Sequence, residues 1–446
     1  MDDLEQVLHG SDEDVRDFLD ILHPADLADL VERVDEEQKK RIFSLIPVKK
    51  ASETLALIEE HHRDDVLDVL SDDHLVRIVD EMETDDVADL ISELSPEKGA
   101  EILAKIDTED SAAVKELLRY PEDSAGGIMQ TELVSVRSGA KVEEAIEAIR
   151  KKRDEIADFH YVFVVDDLDH LVGILDLPRL ILSEPGDKIS QIMSPDVIKV
   201  DVNTDQEDVA KTFGKYDLVS VPVVDDQNRL VGRILVDDVM DVMEDEADED
   251  FLLMAGAGEE ELVERSVSRS VSARLPWLFI TWIGEIIVGL IVGFYGETLQ
   301  RLIILTTFIP VILAMGGNVG TQSSTIVVRG MATGRIEYHR IGQVVLKEVL
   351  VGLFLGLIIG VVLALFAQLR YNEFLVNSMV LGLVVGVSIC LVMTVAALVG
   401  TAMPMGFWRF GIDPAVATAP FISTSCDIMG TLIYLTFANM LMARLI

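Results

Sequence analysis

The sequence predicts a multidomain protein: an α-helical superhelix over 1–119, an α/β tandem repeat over 120–244, a connecting helix over 245–274, and an all-α transmembrane domain of five helices over 275–446. Three observations carry this division. The chain has 446 residues and a formal net charge of −41, but the charge is segregated. Residues 1–274 hold 71 acidic and 29 basic residues, whereas 275–446 hold 7 and 8. The apolar pattern follows a helical period in the first region and alternates between strand and helix in the second. The last region contains five apolar runs, at about 275–294, 302–328, 341–368, 374–403 and 420–443, each long enough for a hydrocarbon core of roughly 30 Å.

In the first region apolar residues recur at three- and four-residue spacing, as at Leu27, Leu30, Val31 and Val34. Ser11, Pro24, Ser71, Thr84 and Ser95 mark helix starts. HPADLADLVERV and METDDVADLISEL resemble one another, the sign of a superhelix of short helices. Asp85, Asp86 and Asp89 form an acidic cluster, with positions 85 and 89 on one helix face. Such a cluster is either a solvated face or a surface that collects cations.

In the second region an internal repeat appears. GGIMQTELVSV, HYVFVVDD and HLVGILDL return as QIMSPDVIKV, LVSVPVVDD and RLVGRILVDDV. Val162–Val165 and Val221–Val224 read as buried strands, and the Asp pairs after them as hairpin turns. No nucleophile–base constellation is present, so no enzyme is expected. The repeat resembles a tandem pair of CBS modules, which implies a regulatory sensor, often of adenine nucleotides such as ATP.

Residues 236–250 read VDDVMDVMEDEADED, an apolar stripe followed by a dense run of carboxylates, each repelling the next unless a cation is near. The connecting helix turns basic towards its end, at Arg265, Arg269 and Arg274, and is expected to lie along the membrane surface. The N-terminus lacks a basic start and an apolar run, so a cleaved signal peptide is not expected. A basic footprint for nucleic acid is absent. Cys390 and Cys426, both in apolar runs, exclude a disulfide framework.

Arg265, Arg269, Arg274, Arg329, Arg335, Arg340, Lys347 and Arg409 fall on one side of the five spans, and Arg301, Arg370 and Arg444 on the other. This bias predicts a cytoplasmic N-terminal half and a C-terminus outside. Two polar segments interrupt the spans: MGGNVGTQSST at 315–325 and STSCD at 423–427. Polar groups in hydrocarbon are costly unless they face protein or a wet cavity. GGNVGT is not a phosphate loop, since no GK[ST] follows. Pro310 and Gly316-Gly317 are expected to weaken the second span and free carbonyls towards a pore, with Asn318, Thr321 or Gln322, and Thr325 on one stripe. Asp427 lies about two turns into the last span, with Ser423, Gly430, Thr431 and Tyr434 on its face. A carboxylate there is either neutral or sees a mobile cation, and neutral oxygens with one carboxylate suit hydrated Mg²⁺. Glu348 is expected to snorkel to the interface beside Lys347. Glu285, at mid-span, is either a packed, hydrogen-bonded group or a proton-linked one.

The order of parts, with GGNVGTQSS and CDIMGTLIY in the spans, resembles the MgtE family of magnesium channels from about Leu4 to Leu441. The resemblance implies a homodimer in the bilayer of the cell's inner (plasma) membrane, with the pore between spans two and five of both copies. It implies that Asp427 forms the central Mg²⁺ site near Gly317, Asn318 and Thr321, where some members carry Asn at the last position. It further implies a cytoplasmic Mg²⁺ sensor at Glu53, Asp85, Asp89, Asp217, Asp238, Asp241, Glu249 and Asp250, which opens the gate when the ions leave. A divalent-cation transporter coupled to H⁺ or Na⁺ is the alternative.

Overall fold

The computed structural model of the chain describes residues 10–153, 160–257, 266–336, 340–371, 377–417 and 419–445. It divides into two compact units, 1–243 and 244–446.

The first unit opens with short helices of 8 to 10 residues, from Asp12–Ile21 to Thr108–Leu117. Their ends are set by side chains that satisfy the first amides. Ser11 accepts from Asp14 N, Asp35 from Gln38 N at 2.9 Å, and Asp107 from Glu109 N at 2.8 Å. Pro24 and Pro96 occupy first turns, where a missing N–H costs nothing. Thr84 is the first helical residue of its helix, and the cap position belongs to Glu83. Helices two apart in sequence pack on one another, as Pro24–Arg33 does on Val48–Ala56 and Glu36–Leu45 on Glu60–Val69. A continuous apolar core runs through them, including Leu27, Val31, Phe43, Leu55, Ile78 and Leu90. This is the expected superhelix.

The repeat forms two three-stranded sheets of identical topology. β1 (Ser135–Arg137) runs parallel to β2 (Tyr161–Val165), which pairs antiparallel with β3 (Leu171–Asp176). β4 (Val200–Asp201), β5 (Ser220–Val224) and β6 (Leu230–Leu235) repeat the pattern. Each antiparallel pair carries its register shift at the same place, Val164/Val165 and Val223/Val224. Both hairpin turns use one device. Asp166 Oδ1 accepts from the amides of Leu168 and His170, and Asp225 Oδ1 from those of Gln227 and Arg229. The turns close through left-handed Asp169 and Asn228 (φ 64° and 63°), and then bond to each other, Leu171 N to Asn228 O and Leu230 N to Asp169 O.

The IM and LVG signatures prove to be two halves of one contact, made crosswise. A Cβ on Gly173 would stand 2.5 Å from Met193 Sδ, and one on Gly232 would stand 2.7 Å from Met129 Sδ. The methionine of each copy therefore fills the glycine notch of the other.

A helix leaves β6 directly and runs Val236–Ala255 across the boundary between the units. Residues 258–265, within the expected connecting helix, lie outside the described residues.

The second unit contains, among the described residues, five helices long and apolar enough to span a membrane: Val267–Phe294, Ile303–Ala332, Ile341–Arg370, Ser378–Arg409 and Pro420–Leu441. The first begins ahead of the expected residue 275, and the fourth ends beyond the expected 403. Small residues let the backbones approach, the common device where lipid offers no hydrophobic drive. A Cβ on Gly360 would lie 2.6 Å from Gly386 O, and one on Gly382 2.7 Å from Ala364 O, so spans three and four meet backbone to backbone. Gly400 of the fourth span rests on the Gly320 carbonyl of the second.

Candidate functional site

Two groups of residues stand out, one in each unit. In the membrane unit, the second span is an unbroken α-helix over Ile309–Ala332, preceded by a 3₁₀ stretch at Ile303–Phe308. This corrects the expectation of freed carbonyls. Pro310 sits in the first helical turn, where no donor is lost, and of the glycine pair Gly316 serves packing instead. Gly316 admits Val392, and Gly320 admits Cys426 Sγ, which would be 2.7 Å from a Cβ. The Gly320–Cys426 contact sets Asp427 level with the GGNVGT segment. Gly317 borders open space. Asn318, Gln322 and Thr325 are exposed, Thr321 and Asp427 half-buried. A polar stripe thus leaves the helix on a face that this protomer does not cover.

Around Asp427, Tyr434 donates to Leu305 O at 2.8 Å, Ser423 to Pro420 O at 3.4 Å, and Gly430 leaves room for Val392. Glu348 does not snorkel. It is 3 % exposed, accepts from Ser323 Oγ at 3.1 Å, and pairs with Lys347 Nζ at 3.1 Å. The donor on the second span and the adjacent lysine hold it inside, so its headgroup has no need to reach water.

In the first unit, Glu83, Asp85 and Asp86 bring carboxylate oxygens within 4.8 Å of one another at the N-terminus of the helix Thr84–Glu93. Gln130 Nε2 reaches Glu83 Oε2 at 3.1 Å and Asp85 Oδ2 at 3.4 Å, and its Oε1 accepts from Arg233 Nε and Nη2 at 3.1 and 2.7 Å. Glu132 accepts from the amide and the hydroxyl of Thr84 at 3.2 and 2.9 Å. Arg233, on β6, is 2 % exposed and faces the charges of Glu83, Glu132, Asp85 and Asp238. One guanidinium cannot neutralise four carboxylates. Burial first, and the neighbouring carboxylates second, push Asp86 up to about 7 and Asp238 up to about 8. The same causes raise Asp85 well above the usual carboxylate range, and Glu83 also rises. At neutral pH this cluster is short of positive charge: it must hold protons or a cation.

Of the residues expected to form the sensor, Asp85 and Asp238 come together here, and Asp89 adds its field to Asp86 from the exposed face. Glu53 is exposed on the helix Val48–Ala56. Asp217, also exposed, is the left-handed C-cap (φ 52°) of the helix Gln206–Tyr216. Asp241, and further on Glu249 and Asp250, follow on the helix Val236–Ala255. Sequence reasoning missed Gln130, Glu132 and Arg233. The signal for the last was an arginine in the middle of an otherwise apolar strand, LVGRIL.

The repeat also carries a cleft of about 660 Å³ at Tyr161, Asp176, Arg179 and Val219. A second, of about 680 Å³, is lined by Glu116, Asp169, Asp225 and Asp226 with Arg229.

Five helices long and apolar enough to span a membrane, with a polar stripe and one carboxylate among them, and an acidic unit containing a CBS pair, are the parts of a cation transport protein. Comparison with known proteins agrees. A family profile described as "Divalent cation transporter" (MgtE) matches residues 309–437, the MgtE intracellular N domain matches 22–123, and CBS domains match 125–182 and 189–245. The magnesium transporter MgtE of Thermus thermophilus is 36% identical over 98% of this chain and 97% of its own, and that of Bacillus subtilis 30% identical over 96% and 94%. The crystal structure of the cytosolic domain of the Mg²⁺ channel MgtE in complex with ATP superposes with a TM-score of 0.52 at 35% identity, covering 54% of this chain and 98% of that one. The chain belongs to the MgtE family of magnesium transporters.

Proposed function

We propose that this protein is a Mg²⁺ channel that works as a homodimer in the cell's inner membrane, with its soluble half in the cytoplasm and its C-terminus outside. The observation that carries this reading is the outward polar stripe of the second span, Asn318, Gln322 and Thr325, level with half-buried Asp427. Such a stripe is unfavourable against lipid. Against a second copy it lines a path. Carbonyl, amide and hydroxyl oxygens at Gly317, Asn318 and Thr321 receive the water shell of the ion, and Asp427 supplies the charge. Mg²⁺ suits this arrangement because it dehydrates reluctantly and binds through waters with one or two carboxylates. The relatives are named as magnesium transporters.

The soluble half senses the same ion. Mg²⁺ at Asp85 and Asp238, with Glu83 and Asp86 beside them, supplies the charge that Arg233 cannot. Glu53, Asp89, Asp217, Asp241, Glu249 and Asp250 are the further ligands in this reading. When cytosolic Mg²⁺ falls, the carboxylates repel and the pore opens. ATP or another adenine nucleotide binds the cleft of the CBS pair at Tyr161, which offers a ring face, Asp176, which accepts from a ribose hydroxyl, and Arg179, which meets phosphate. The other cleft, with four carboxylates and one arginine, repels phosphate.

The test is Mg²⁺ entry into proteoliposomes with no proton or sodium gradient, for wild type and Asp427→Ala, at micromolar and at millimolar Mg²⁺ on the cytoplasmic face. Wild-type flux that is shut by cytoplasmic Mg²⁺ and lost in the variant is expected. Flux that begins only when a gradient is imposed replaces the channel with a coupled transporter.

A further inference from the structure

The first span contributes a residue that the motifs of spans two and five do not announce. Along Val267–Phe294 the packed stripe includes Gly284 and Val288. Gly284 is a seat for Thr424 of the fifth span, since any Cβ there would overlap the Thr424 methyl. Glu285 follows at the edge of this contact, exposed on the protomer surface, and the close approach brings its carboxyl within hydrogen-bonding reach of the Asp427 carboxyl. Two carboxylates in contact are both acceptors and repel unless something positive lies between them. Neither 275–294 nor 420–441 contains a Lys or Arg to play that part.

A separate observation points the same way. Thr424 and Thr431 stand three positions before and four after Asp427, hence on its helix face. They are 9 % and 1 % exposed, and neither hydroxyl has a hydrogen-bond partner among the described residues. By contrast, Thr394 and Thr401 of the fourth span take the carbonyl one turn back, Cys390 O and Ala397 O, each at 2.7 Å. A buried hydroxyl left without a partner is costly, and two of them flanking Asp427 on its helix face mark a place for a hard cation.

We propose that Glu285 is the second carboxylate of the ion site and, with the Thr424 and Thr431 hydroxyls, sets its preference for divalent over monovalent cations. Paired carboxylates attract a divalent ion twice as strongly as a monovalent one at the same distance, so a monovalent ion leaves more of their mutual repulsion in place. This rests on the reading of Asp427 as the pore carboxylate, and the experiment separates the two. Full-length protein in proteoliposomes is assayed for flux against Mg²⁺ concentration, and for reversal potential in mixed Mg²⁺ and Na⁺, as wild type, Asp427→Asn, Glu285→Gln and Thr431→Val. Asp427→Asn abolishes Mg²⁺ flux. Glu285→Gln raises half-saturating Mg²⁺ by about tenfold to a hundredfold and moves the reversal potential towards that of Na⁺. Thr431→Val shifts half-saturation in the same direction while thermal stability holds or rises, which a hydroxyl with only a packing role would not do.

If Asp427→Asn conducts like wild type, the pore reading fails and this inference with it. If Asp427→Asn is dead while Glu285→Gln leaves half-saturation and reversal potential unchanged, the pore reading stands and this inference is overturned. Should Glu285→Gln not yield folded protein, Thr431→Val decides, and an unchanged half-saturation overturns the inference.

Discussion

Asp238 offers the most direct test of the acidic cluster. Its carboxyl moves from an ordinary 3.8 to about 8 in the packed arrangement, first through burial and then through Asp237 and other carboxylates. Above pH 3.8 an exposed Asp238 ionises freely, while the packed one resists. The packed form is therefore most stable in acid and loses stability as pH rises towards 8. At pH 7.5 the difference is on the order of a few kcal/mol, from 1.36 kcal/mol per pH unit. Asp238→Asn removes the charge but keeps an oxygen to accept from Leu235 N, now 3.1 Å from Oδ2. The assay is the rate of limited proteolysis of the soluble half in the full-length protein, from pH 5.5 to 9, with and without 10 mM Mg²⁺. Wild type without Mg²⁺ should lose protection as pH climbs through 7 to 8 and regain it with the ion. Asp238→Asn should show a shallower pH profile and a weaker response to Mg²⁺. A wild-type profile flat across this range, or a variant with full Mg²⁺ dependence, would refute the assignment of Asp238 to a cation-binding cluster.

Other expectations follow from the packing. Arg233→Met removes the buried cation from four carboxylates and leaves Gln130 half-satisfied; a loss of about 3–5 kcal/mol is expected, read as a lower thermal midpoint that millimolar Mg²⁺ partly restores. Glu348→Ala strands Ser323 and opens a void between spans two and three, at about 1–3 kcal/mol, measurable by thermal unfolding in detergent. Gly386→Leu cannot fit against Gly360 O and should separate spans three and four, seen as loss of a monodisperse peak in size-exclusion chromatography. Arg179→Ala should weaken ATP binding by about tenfold or more if a charge-assisted phosphate contact is lost, checked by calorimetry.

The elements of this protein are legible in its sequence because each is a local decision. Ser11, Ser95 and Asp107 cap helices wherever they precede an apolar period, and the duplicated VVD and LVG segments fix strands and turns without reference to the rest of the chain. The order of domains and the apolar spans are of this kind. What escaped was decided by pairings between distant segments. Arg233 and Gln130 meet from 103 positions apart, and a single strand pattern does not say what faces its one charge. Glu348 was expected at the interface because hydropathy gives the depth of a residue but not the rotation of its helix, and the rotation turns it onto Ser323. Pro310 reads as weakening the second span because its position relative to the helix start, a matter of one turn, is the least certain quantity in any sequence reading. The nearness of Glu285 to Asp427 follows from one glycine, Gly284, whose purpose is visible only with Thr424 in place.

The crossed seating of Met129 and Met193 bears on the ancestry of the repeat. A single copy, alone, would present an empty notch at its glycine and a methionine with nowhere to lodge. Its simplest remedy is a twin, each lending its methionine to the other. Fusion of two such copies in one gene makes the exchange permanent, and from then on neither can be deleted, swapped for an outsider or allowed to drift at its methionine without unseating the other. The two halves are obliged to change together, even where their surfaces have already parted company.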